Sequence, residues 1–94
     1  MNEQEAQQLA LKALQCGALS AKATRGVVVV SFQLNDESYR ELAFAMIRID
    51  ANELTILEMR NSRTADTLKW ERQLSRVLQG LETLRESFSE SEAA

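Results

Sequence analysis

Along this chain the apolar positions change rhythm twice. Between Asn2 and Ala18, the residues Ala6, Leu9, Ala10, Ala13, Leu14 and Gly17 recur at i, i+3, i+4, i+7, i+8 and i+11, which is one stripe at a 3.6-residue period. The spacing predicts a helix over about residues 2–18. Glu3 and Glu5 fall in its first turn, where the helix dipole favours negative charge, and Gly17 supplies a stop. Residues 21–25 are small or polar and read as a connector.

The period then shortens to two. Three runs rich in Val, Ile, Phe and Thr predict strands over about 26–34, 39–49 and 54–59. Asn35-Asp36-Glu37-Ser38 and Asp50-Ala51-Asn52-Glu53 separate them, and such side chains favour turns because they bond nearby backbone groups. Two short links make two antiparallel hairpins. The last rhythm is a seam in steps of three and four through Thr67, Trp70, Leu74, Val77, Leu81, Leu84 and Phe88, supplemented by Leu78. It predicts a helix over about 64–88, capped by Ser62 or Thr64 with Asp66 in its first turn, and a frayed tail at 89–94. The expected fold is α+β: a two-layer α-β-β-β-α single domain over 1–94, with a three-stranded antiparallel meander and a long C-terminal helix.

Sorting the strands by parity exposes a surplus. One face collects Val28, Val30, Phe32, Leu34, Ala43, Ala45, Ile47, Ile49, Leu54 and Ile56, and its alanines make room for helix backbones. The other face collects Val27, Val29, Leu42, Phe44, Met46, Leu57 and Met59, rimmed by Ser31, Gln33, Arg40, Arg48 and Thr55. A two-layer antiparallel sheet normally wets one face, whereas an apolar patch with a polar rim is the composition of an interface. Either another chain covers this face, or one helix lies on each side in three thin layers. The last helix raises the same question. Residues 64–88 would span roughly 37 Å as a helix, against about 26 Å for an eight-residue strand. The distal seam therefore packs on the first helix or on a second subunit. Gly80 in its interior marks a kink or a close approach of another helix.

Composition narrows the chemistry. The 94 residues suit one small domain, and a net charge of −3 argues against a generic phosphate-neutralising protein. There is no histidine, so the commonest general base and metal ligand are missing. The one cysteine, Cys16, lies beside the first helix's apolar stripe and reads as a small buried side chain. Asp36, Glu37, Asp50 and Glu53 fall in turns at opposite ends of the middle strand and read as solvated. Three widely spaced glycines build no phosphate-cradling loop. No catalytic, cofactor-binding or metal residues are expected, and no small-molecule substrate is indicated. The polar start MNEQEAQQ and the lack of a long apolar run predict a cytoplasmic protein with no membrane contact.

Charge along the last helix is divided. Five cations against two acids lie from Arg60 to Arg76, and four acids against one cation lie from Glu82 to Glu92. Lys69, Arg72 and Arg76 form one stripe, which reads as a solvated face, as half of an antiparallel pairing with a second copy, or as a phosphate contact. The element order resembles that of the double-stranded-RNA-binding domain, in topology alone. That family has a lysine-rich start to its last helix and a basic first loop, where this chain has RTADTLKWER and NDES.

The function expected is a non-enzymatic protein-interaction module, a homodimeric adaptor, assembly or secretion chaperone, or inhibitor. Its interface residues would be Val27, Val29, Leu42, Phe44, Met46, Leu57 and Met59 on the sheet, with Trp70, Leu74, Val77, Leu81, Leu84 and Phe88 on the helix. The alternative is a nucleic-acid-associated protein using Arg60, Arg63, Lys69, Arg72 and Arg76.

Overall fold

Asn2 opens the first helix, α1 (Glu3–Gln15), through a reciprocal capping box. The Glu5 backbone N–H donates to Asn2 Oδ1 at 2.8 Å, and the Asn2 N–H donates back to Glu5 Oε1 at 3.4 Å. The helix ends at Cys16, and Gly17 follows with φ +103°, the left-handed conformation that a helix C-terminus commonly requires. The computed structural model describes residues 1–35, 41–61 and 67–93, with side chains over 1–34, 43–60 and 72–88. The expected turn at Asp36–Ser38 and the expected caps at Ser62, Thr64 and Asp66 lie outside the described residues, as do Tyr39, Arg40 and Arg63.

Four strands follow, not three: β1 (Ser20–Thr24), β2 (Val27–Asn35), β3 (Glu41–Ile49) and β4 (Leu54–Asn61). They form one antiparallel sheet in the order β1-β2-β3-β4. The stretch expected as a connector is β1. Its hairpin to β2 closes on two residues, Arg25 and Gly26, with φ +54° and +76°. Positive φ at both central positions is the turn whose twist matches a two-residue hairpin. The turn sits on the start of α1, where the Gly26 N–H donates to Glu3 Oε2 at 3.1 Å. A fourth strand also removes the element-order match to the double-stranded-RNA-binding domain, because the chain runs α-β-β-β-β-α.

Register confirms the buried face and corrects one strand. Val28, Val30, Phe32, Leu34, Ala43, Ala45, Ile47 and Ile49 are all buried. In β4 the pairing shifts: Met46 faces Glu58 while Ile47 faces Ile56, so Leu57 is an extra, bulged residue. The bulge reverses parity beyond it. Met59, expected on the open face, lies opposite Ala45 on the helix side.

The final helix, α2 (Thr67–Ala93), is longer than expected and runs through the segment expected to fray. Residues 89–93 contain no Pro or Gly, and an established helix propagates without needing a docked side chain. Both helices occupy the same side of the sheet. Ala6, Leu9, Ala10 and Ala13 of α1 join Leu81 and Phe88 of α2 in one core with the inner residues of β2 and β3. The molecule is therefore two-layered, and the three-layer arrangement is excluded. The α1 helix packs over β1 and β2, and α2 over β2 and β3. This leaves β4 at the margin, so Ile56, expected in the core, is 45% exposed. Leu14, counted in the stripe of α1, is 42% exposed because the alanines and Leu9 already fill the narrow contact with the sheet. No helix among the described residues is long and apolar enough to cross a membrane.

Candidate protein interface

With both helices on one side, no described element packs on the other face of the sheet. That face is read directly from the cross-strand rows, because residues opposite one another share a face. One row is Lys22–Val29–Arg48–Thr55, the next Ser20–Ser31–Met46–Glu58, and the third Gln33–Phe44–Arg60. Val27 stands beside Thr24 at the turn end. Val27, Val29, Phe44 and Met46 are half-buried by their neighbours, while Lys22, Gln33, Thr55, Glu58 and Arg60 are exposed around them. The centre is apolar and the rim charged.

Several polar groups on this face are tied to a neighbour. Ser20 Oγ and Ser31 Oγ share a hydrogen bond of 2.5 Å. The Arg60 Nε lies 3.0 Å from Glu58 Oε1, and its guanidinium stacks 5.1 Å from the centre of the Phe44 ring. Arg48 Nη1 donates to Asp50 Oδ2 at 2.7 Å. Asp50 also organises the β3–β4 turn, its Oδ1 accepting from the Asn52 N–H at 2.8 Å and the Glu53 N–H at 2.9 Å. Those two backbone donors hold the Asp50 carboxyl below its ordinary value, assisted by Arg48 and opposed by partial desolvation. These contacts hold Ser20, Ser31, Arg48, Glu58 and Arg60 around an apolar centre that no described element covers.

The expected interface residues divide three ways. Val27, Val29, Phe44 and Met46 do share the open face. Leu57, at the bulge, is 50% exposed, and with Ile56 it makes the β4 margin apolar on an edge strand. Leu81 and Phe88, by contrast, are buried in this chain's own core, and Leu74, Val77 and Leu84 pack against it. The distal seam thus closes on α1, where Lys12 Nζ lies 5.2 Å from the Phe88 ring centre. Leu42 and Trp70 lie on β3 and α2, and their side chains are outside the described set.

The alternative set is split as well. Arg60 projects from the open sheet face, whereas Arg72 and Arg76 are exposed on α2 in the other layer. A phosphate backbone would have to reach both layers to use them together. Arg63 and the Lys69 side chain are outside the described set. The described residues contain no cluster of His, Cys, Asp or Glu with metal-binding geometry.

Two features escaped sequence reasoning. Cys16, expected buried, is exposed, because it sits at the C-cap beyond the last helical turn. With Phe32 of β2 it lines a groove of about 470 Å³ along α2, whose remaining lining is Arg76, Val77, Gly80, Leu81, Thr83 and Leu84. The second is Arg85. Its guanidinium pairs with Glu82 and donates from Nη1 to the Ala51 carbonyl at 2.7 Å, tying α2 to the β3–β4 turn. The Glu82 hydrogen bond raises the Arg85 pKa further above its ordinary value. Comparison with protein-family models, with curated proteins and with solved structures finds no match to this chain.

Proposed function

We propose that this protein is a non-enzymatic protein-interaction module, homodimeric and cytoplasmic, that docks a partner protein on the open face of its sheet. It would act as an adaptor, an assembly or secretion chaperone, or an inhibitor. One observation carries this reading: Val27, Val29, Phe44 and Met46 form an apolar centre that neither helix covers. Burying such a centre supplies the affinity, and the rim of Lys22, Arg48, Glu58 and Arg60 selects the partner and its orientation. The exposed Cys16 has no second cysteine with which to form a disulfide within the chain, which suits a reducing compartment.

The experiment is to recover a partner with the wild-type protein, reconstitute the pair from purified components, and compare Phe44→Glu with wild type. A charge at the centre of a desolvated patch should weaken binding at least tenfold, with an unchanged circular dichroism spectrum. Full affinity in Phe44→Glu and in Met46→Glu would exclude the sheet face. The nucleic-acid reading is favoured by one contact, Arg60 of the edge strand β4 stacked on Phe44 of β3 on the open face. Binding to duplex or single-stranded RNA that falls steeply with salt and is lost in Arg60→Gln would replace the protein-partner reading.

A further inference from the structure

The groove along α2 and the charge pattern of that helix meet at Gly80. Gly80 lies in the interior of α2, where it costs about 1 kcal/mol relative to Ala. Nothing inside the chain requires it: a Cβ built on Gly80 would meet no atom within 4 Å. It nevertheless lines the groove and is exposed. A mid-helix glycine that internal packing does not need points to something approaching the helix from outside.

The charges say what approaches. Take a two-fold axis through Gly80, so that a residue n positions before it meets one n positions after it in an antiparallel copy. Arg76 then lies level with position 84, between Glu82 and Glu86. Arg72 lies level with Phe88, between Glu86 and Glu90, and Lys69 lies level with position 91, between Glu90 and Glu92. Each cation falls between two acids, in both copies at once, as an isologous contact requires.

Of these acids Glu86 and Glu90 share a flank of α2 with Arg72 and Arg76, whereas Glu82, paired with Arg85, and Glu92 fall on other sides of the helix. Counting 3.6 residues per turn, Arg76, Arg72, Glu90 and Glu86 sit about 40°, 80°, 80° and 120° from Gly80 in one sense. Leu84 and Val77 sit about 40° and 60° from it in the other. When two antiparallel helices pair about a two-fold axis normal to their common plane, like flanks meet. The charged flank meets its copy, and so does the apolar flank, and the groove is lined from both, by Arg76 and Thr83 on one and Val77 and Leu84 on the other. Arg72 and Arg76 are exposed and make no ion pair among the described residues.

We infer that a second copy of this chain covers the groove, with the two α2 helices antiparallel and crossing at Gly80, and with Arg72 and Arg76 set against Glu86 and Glu90 of the copy. This deepens the homodimer in the proposed function and rests on that part of it. It is independent of the open sheet face, which lies in the other layer.

Analytical ultracentrifugation of the full chain over a concentration series tests it. Wild type should sediment as a dimer, more weakly in high salt. Gly80→Leu has open space for its side chain within one subunit but places two leucines on the axis, and should weaken the dimer at least tenfold. The decisive pair is Arg72→Glu/Arg76→Glu, in which the marked flank is all acidic, and Glu86→Arg/Glu90→Arg, in which it is all basic. Each alone should be monomeric, and their equimolar mixture should form a heterodimer. A wild type that stays monomeric, or charge variants that still self-associate, would overturn the inference. If Phe44→Glu rather than Gly80→Leu dissociates the dimer, the second copy sits on the sheet face. The α2 pairing then falls while the reading of that face as an interface stands.

Discussion

At the scale of single residues, the β1–β2 turn shows how two adjacent positions with the same backbone hand differ in what they tolerate. Gly26 has φ +76°, and a Cβ there would lie 2.5 Å from the Met1 carbonyl oxygen. Gly26→Ala should therefore destabilise by at least about 1–2 kcal/mol, the strain of a left-handed L-residue, before the clash is counted. Arg25 already bears that strain at φ +54°, and Asn is the residue best suited to the first central position of this turn. Arg25→Asn should raise stability by up to about 1 kcal/mol. Urea midpoints of the two variants should move in opposite directions; movement in the same direction would mean that the turn is not formed as described. Asp50 supports a second residue-scale prediction. Its carboxyl is held low chiefly by the Asn52 and Glu53 N–H groups. The stability it contributes is complete above the unfolded carboxyl value of about 3.9 and is lost as pH falls through the lower folded value. Asp50→Asn keeps an oxygen acceptor for the turn but has no proton to gain. Its urea midpoint should vary less with pH below about 4 than that of wild type, and parallel curves would remove Asp50 as the titrating group.

At the scale of elements, α2 is held to the rest of the fold by the buried Leu81 and Phe88, by the partly buried Leu74, Val77, Leu78 and Leu84, and by the Arg85 link to the Ala51 carbonyl. Hydrogen bonds from a largely buried guanidinium contribute about 1.5–3 kcal/mol. Arg85→Ala should lose about that much. Hydrogen exchange should quicken in α2 more than in β2 and β3, and a uniform loss of protection would show that α2 and the sheet open as one unit. The same elements show what was legible in the sequence. Helix α1 and the inner faces of β2 and β3 were, because their apolar residues follow one period without interruption. Strand β1 was not: Ser20-Ala21-Lys22-Ala23-Thr24 alternates, but its inward residues are alanines, too small to register as a strand face. What makes it a strand is tertiary, namely pairing with the valines of β2 and cover from α1. The open face is visible as a surplus of apolar residues, but the place of Met59, opposite Ala45 on the helix side, is not. A bulge inserts one residue without any composition signal and reverses every side chain beyond it. The groove at Gly80 was half legible, since the glycine and the divided charge stand in the sequence. The room around Gly80 appears only once α2 is placed against Phe32 and Cys16.

At the scale of the whole molecule, two candidate surfaces lie back to back. The apolar centre at Val29, Phe44 and Met46 faces away from the helices, and the Gly80 groove lies along α2 with the sheet between. No described side chain belongs to both. Effects at well-separated sites with no shared partner add to within about 0.3–0.5 kcal/mol, so the two surfaces should behave independently. Phe44→Glu should weaken partner binding at least tenfold and leave the dimer intact. Arg72→Glu/Arg76→Glu should give monomers that still bind the partner, with affinity per subunit within about threefold of wild type when the partner is monovalent. With the partner immobilised at high density, those monomers should dissociate far faster than wild type, because two linked sites gain about 10²–10⁴ in avidity. The combined variant, followed by sedimentation and by binding to immobilised partner, should show both losses and nothing more. Coupling beyond additivity would mean that the sheet transmits strain between its two faces, and the dimer would then control access to the binding face rather than merely doubling it.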